Sequence, residues 1–188
     1  MPSTSAPFGM RPSFHPSGLD RAVALPGGIP SGYSTNLLKG QPVALNTSGV
    51  IIAATAGSAF QGAFAGVEFT DTTGRRRVSN YWPASTTGTD IVAYYYSDPN
   101  IVYDIQADGS LAQTSIGDQA NFTNISAGST TTGLSACTIS TSLVGSSAVG
   151  DLRIIGLYTG VDNAWGDAYT IVQVQISRSQ YVATINAI

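Results

Sequence analysis

No stretch of this chain carries a 3.6-residue apolar repeat through three helical turns. Clusters of Gly, Pro, Asn, Asp and Ser instead recur roughly every 8 to 12 residues, between short runs of β-branched and aromatic residues. That punctuation predicts an all-β chain, an antiparallel β-barrel or sandwich of jelly-roll-like form. The densest stretch is residues 90–119. Ile91-Val92-Ala93-Tyr94-Tyr95-Tyr96 has apolar bodies on both faces, as a strand covered on both sides requires. Ser97-Asp98-Pro99-Asn100 predicts a turn, because Pro99 presets φ and the flanking Asp and Asn bond nearby backbone. A return strand follows over residues 101–106. Ala107-Asp108-Gly109-Ser110 then predicts a second hairpin.

Further hairpins are expected at residues 41–54, around Asn46-Thr47-Ser48-Gly49, and at residues 60–82, around Asp71-Thr72-Thr73-Gly74. Residues 134–144 alternate, with Cys137, Ile139 and Leu143 on one face. Thr170, Val172, Val174 and Ile176 do the same over residues 169–176. A last strand is expected from residue 179. The predicted domain is residues 35–188, with a division into a small barrel (35–85) and a sandwich (86–188) left open.

Residues 1–34 read as an extended, Pro-rich N-terminal arm. Six of the nine prolines fall there, and proline supplies no amide donor and fixes φ. The arm still carries large apolar groups, which a disordered tail lacks. Phe8, Met10, Phe14, Leu19 and Tyr33 are its candidate anchors, on an intersubunit strap or on the chain's own domain. The strap is the favoured reading.

Hydrophobic residues make up 43% of the chain, enough for a core, whereas charged residues make up only 10%. The usual charged share is about 25%. A short-chained, weakly charged surface suits burial against other protein, since interface cores are depleted in charge. A net charge of −3 argues against sequence-independent nucleic-acid binding. No apolar run approaches the roughly 20 residues that span a bilayer, and no leader-like segment opens the chain.

Chemistry is sparsely provided. Cys137 is the only cysteine, so no intrachain disulfide or thiol zinc cluster is expected. His15 is the only histidine, without an acid cluster nearby in sequence, so no ligand or base role is expected of it. Asp98, Asp108 and Asp118 fall in three consecutive turns, yet no calcium-loop spacing joins them. Glu68 is the only glutamate, which leaves no obvious glycosidase pair. The expectation is no enzyme activity, no cofactor and no metal. Arg75-Arg76-Arg77 is the one dense charge cluster. It serves either as a contact for an acidic partner surface or as a solvated hairpin base that keeps an edge soluble.

Three segments carry a resemblance. They are Lys39-Gly40-Gln41-Pro42-Val43 running to Val50-Ile51-Ile52-Ala53-Ala54-Thr55, then residues 62–82 with Gly66-Val67-Glu68-Phe69 and Tyr81-Trp82-Pro83, and finally residues 98–109 with Asn163-Ala164-Trp165-Gly166-Asp167. Together they resemble the capsid cement, or decoration, proteins of tailed bacteriophages, over residues 35–178. The resemblance implies a virion protein, made in the host cytoplasm, that binds the outer surface of the major capsid shell and stabilises it across subunit boundaries. It further implies the major capsid protein as partner. A homo-oligomer (dimer or trimer) on the capsid is expected beside it, with no membrane and no nucleic acid as partners. The rival reading is a carbohydrate-binding or fibre adhesion module using Trp82, Tyr94, Tyr96 or Trp165.

Overall fold

In the structure, a computed structural model, residues 4–18 and 22–183 are described. The first β-branched and aromatic runs build β1 (Arg11–Phe14), β2 (Val23–Pro26), β3 (Pro42–Leu45), β4 (Ile51–Ala53), β5 (Gly62–Thr70), β6 (Arg76–Ser79) and β7 (Thr89–Tyr96). After them come β8 (Val102–Gln106), β9 (Gln119–Thr123), β10 (Gly128–Ser129), β11 (Leu134–Ser135), β12 (Thr138–Leu143), β13 (Leu152–Leu157) and β14 (Ile171–Ile176). The fold is all-β and its named strands pair antiparallel. One sheet has the order β2-β7-β5-β3-β4, with β6 also on β5, and the other the order β1-β8-β14-β13-β9-β12.

β10 and β11 pair by themselves; apart from them and β1, strands of the first half fill one sheet and strands of the second half the other. A jelly roll draws each sheet from both halves, so that finer detail of the expectation does not follow from this order. The second sheet curls on itself. Ala107 bridges Ile139 in parallel, and the Asp108 amide donates to the Ile139 carbonyl at 3.0 Å, bringing the end of β8 to β12. Inside that curl lie Tyr103, Ile105, Phe122, Cys137, Ile139, Leu152, Ile154, Val172 and Val174. The first sheet covers a second apolar cluster built on Phe64, Val67, Phe69, Trp82, Ala93 and Tyr95.

Local turn chemistry made the expected hairpins. Asn46 Oδ1 accepts the amides of Ser48 and Val50 at 2.9 and 3.2 Å, closing β3 onto β4. β5 and β6 likewise pair around residues 71–75. Residues 90–119 depart from expectation. β7 sits between β2 and β5, while β8 sits between β1 and β14, so the turn at Pro99 carries the chain from one sheet to the other. All of β8 is buried, and a strand covered on both faces and both edges has no edge left for a following hairpin. The Asp108 turn is used differently. Its carboxylate accepts the Thr141 amide at 2.9 Å, and a short 3₁₀ turn, Gln113–Ser115, replaces the third strand.

The described N-terminal segment packs on its own chain. β1 edges the second sheet on β8 and β2 edges the first on β7, so one segment bridges both sheets. The Met10 amide donates to the Gly40 carbonyl at 2.8 Å, and the Met10 side chain has no exposed surface. Gly9 permits this crossing. Its φ is +75°, and a Cβ there would stand 2.7 Å from the Gly40 carbonyl oxygen. The Gln106 side chain adds two bonds, accepting from Ala6 N–H and donating to Thr4 C=O, both at 2.9 Å. The last expected strand reduces to one parallel bridge, Phe60 to Ser179, and residues 184–188 lie outside the described residues.

Candidate interaction surfaces

No group of three or more His, Cys, Asp or Glu side chains converges among the described residues. Asp98 accepts from the Asn100 amide of its own turn at 2.8 Å, whereas Asp108 accepts from the Thr141 amide of β12, so both turn aspartates are spent on backbone. Sequence spacing missed one partnership. His15 Nε2 lies 3.1 Å from Asp98 Oδ2, across 83 residues. Its Nδ1 accepts the Ser17 amide at 3.0 Å and faces Ser17 Oγ at 2.6 Å. The amide fixes Nδ1 as acceptor and places the ring proton on Nε2, toward the carboxylate. The Ser17–His15–Asp98 chain therefore ties the N-terminal segment to the turn that crosses between the sheets. Ser17 is an exposed turn residue bonded to the histidine two positions before it.

The three arginines are not equivalent. Arg76 pairs with Glu68 at 3.1 Å and donates to the Asp90 carbonyl at 2.6 Å. Arg77 Nε donates to Asp71 Oδ2 at 2.7 Å. Both counter-charges sit on or beside β5, diagonally across the hairpin, since Arg76 stands opposite Thr70 and Arg77 opposite Phe69. The Arg75 side chain is exposed at the turn, and its backbone is tied to Asp71, the amide donating to Oδ1 at 3.0 Å and the carbonyl accepting the Asp71 amide at 2.9 Å. Glu68 is held below the usual carboxylate range first by the Tyr94 hydroxyl, which donates to it, and then by Arg76. Beside this paired cluster Val78 is 81% exposed on β6.

Among the arm residues, Met10 belongs to the core and is unavailable to any partner. Tyr33 is half-buried, and its hydroxyl accepts the Ala53 amide at 3.0 Å. Phe14 is 46% exposed on β1. Phe8 is half-buried, with the Arg11 guanidinium 4.7 Å from its ring centre. Leu19 lies outside the described residues. Phe8 and Arg11 form one wall of a groove of about 280 Å³ whose other wall is Lys39, Phe64, Tyr96 and Leu134. Arg11 is pinned from behind by Asp104 at 3.1 Å. Lys39 is the chain's only lysine, and its uniqueness was the one sequence signal for this groove.

The aromatic residues are dispersed. Trp82 has no exposed surface and packs edge-on against Phe69 at 5.0 Å. Trp165 is half-buried against the core inside the curl of the second sheet, and Tyr94 is bonded to Glu68. Tyr96 lines the groove with Phe8 and Phe64. Burial pushes the Cys137 thiol up to about 12, which makes it a small core residue rather than a nucleophile. No family model, curated protein or solved structure matches this chain.

Proposed function

We propose that this chain is a virion structural protein that binds the outer face of a phage capsid shell and holds neighbouring subunits together. The observation that carries this reading is a surface poor in charge that leaves large apolar side chains in view. Phe14 and Val23 stand on the two edge strands that the N-terminal segment adds, while Val78, Leu134 and Val161 stand on other elements. Monomeric surfaces rely on charge for solubility, and apolar groups left exposed together with so little charge favour burial against other protein. The resemblance of residues 35–178 to cement proteins supplies the partner, the major capsid protein.

The role follows from chemistry that needs no bond made or broken. Standard interfaces bury about 1,600 Å² in total, and aromatic anchors contribute most of their energy. Phe14 and Phe8 are the anchors that remain after Met10 is assigned to the core, with Arg75 as the one cation of its cluster that forms no ion pair among the described residues. The test is co-sedimentation of the purified chain with capsids of the phage that encodes it. Saturable binding that Phe14→Ala weakens is expected. A folded wild-type chain that stays in the supernatant at every concentration would refute the reading. The glycan-binding alternative is weakened by the burial of Trp82, and a glycan array tests it directly.

A further inference from the structure

We propose that this chain forms a two-fold dimer in which the tip of the loop after β13, Val161–Asp162, seats in the groove of a second copy. The tip is built to project. Asn163 Nδ2 donates to the Tyr158 and Ile171 carbonyls at 2.8 and 2.9 Å, and its Oδ1 accepts the Ile171 amide at 2.9 Å. Those three bonds close the base of the loop. Above them Val161 is 94% exposed, the most exposed large apolar side chain of the described residues. Asp162, at φ +60°, turns the backbone at the tip. A knob fixed before contact loses little entropy on docking.

The groove fits that knob in size and sign. Its volume of about 280 Å³ falls below the roughly 300–1,000 Å³ usual for small-molecule sites, and suits one or two side chains. Its apolar lining comes from Phe8, Phe64, Tyr96 and Leu134, the last 45% exposed. Its cations are Lys39, which forms no ion pair among the described residues, and Arg11. Val161 answers the first and the negative Asp162 the second, while Asp162 keeps the interaction it makes in its own chain. Knob and groove are also neighbours: Arg11 lies 5.4 Å from the ring centre of Tyr158, where the loop begins. A two-fold axis between two such faces lets each copy insert its knob into the other, the reciprocal contact that a closed dimer requires.

The inference does not depend on capsid binding. Sedimentation velocity of the full chain over a concentration series tests it. A reversible dimer is expected, which Val161→Asp and Leu134→Asp each convert to monomer without moving the thermal melt; both side chains are exposed enough to spare the fold. Lys39→Glu should weaken the dimer about tenfold, since each dimer holds two such surface contacts. Adding Asp162→Lys to it should restore association. Mixing the Val161→Asp and Leu134→Asp chains leaves one intact knob and groove, so a weak heterodimer should appear. A chain monomeric at every concentration, a dimer indifferent to both Asp substitutions, or a higher closed oligomer would each overturn the proposal.

Discussion

The carboxylate of Asp151, with no exposed surface, accepts the Gly57 amide through both oxygens at 3.0 Å. Gly57 lies in the loop between β4 and β5, and Asp151 immediately before β13, so this contact joins the loops of the two sheets. The same carboxylate accepts the Phe122 amide at 3.1 Å and has Arg178 Nε at 3.8 Å. Arg178 in turn donates to the Gly57 and Val149 carbonyls. Asp151→Ala leaves the buried Gly57 and Phe122 amides without this acceptor and Arg178 without its counter-charge, a loss of about 3–5 kcal/mol. Urea denaturation should show it. Burial raises the Asp151 carboxyl above its ordinary value, ahead of the lowering by its two amide donors and Arg178. A raised acid contributes stability that is full below the unfolded value, about 3.9, and lost as pH rises through the folded value. The advantage of the wild type over Asp151→Asn should therefore shrink as pH rises through that window.

The N-terminal segment divides into residues that hold the fold and residues that do not. Met10→Ala empties a core position and should cost about 2–5 kcal/mol. Phe14→Ala, on an outer edge strand, should stay within about 0.5 kcal/mol. Deleting residues 1–30 removes Met10, the buried Ile29 and both edge strands. Such a truncation should lose the cooperative melt of the full chain rather than leave an intact body. A truncated chain that melts like the wild type would show that the segment only decorates the two sheets.

Cys137 gives a probe of the second core that needs no mutation. Its side chain has no exposed surface, and its thiol is pushed up to about 12, first by burial. Thiolate is the reactive species, so a native chain at neutral pH should not react with a disulfide reagent, and the denatured chain should react stoichiometrically. Fast labelling under native conditions would mean that the curl of β8, β14, β13, β9 and β12 opens readily.

What the sequence disclosed was what its neighbours in the chain decide. Asn46 to Gly49 announces its hairpin because the Asn46 side chain bonds amides two and four residues on. Alternation over residues 170–176 announces the buried face of β14, since period two survives whatever the strand pairs with. Which sheet a strand joins is decided elsewhere. β7 and β8 are linked by a turn that reads as a hairpin, yet their partners lie far along the chain. Asp104 and Gln106 share one face of β8, and nothing in their polar side chains announces burial. They are buried because Arg11 and residues 4–6 return across about a hundred residues to cover them. The Arg75-Arg76-Arg77 cluster reads as free charge until the register of β5 and β6 sets Glu68 and Asp71 against it. The His15–Asp98 contact carries no sequence signal for the same reason.

Asp71 makes the β5–β6 hairpin tip sensitive to acid. Its Oδ1 accepts the Thr73 hydroxyl at 2.6 Å and the Thr73 and Arg75 amides at 2.9 and 3.0 Å, and its Oδ2 accepts from Arg77. The Thr73 hydroxyl first, and then Arg77, hold the carboxyl well below the usual range. A depressed acid contributes stability that is full above the unfolded value, about 3.9, and is lost as pH falls through the folded value. Below about pH 4 the Thr73 and Arg75 amides should therefore lose protection from hydrogen exchange before the strands of either core do. Asp71→Asn should give a tip whose exchange no longer changes with acid. Arg77→Ala should move the onset toward the ordinary carboxylate range, whereas Arg75→Ala, which leaves the backbone bond intact, should not. Exchange at Thr73 that tracks global unfolding at every pH would show that this carboxylate does not govern the tip.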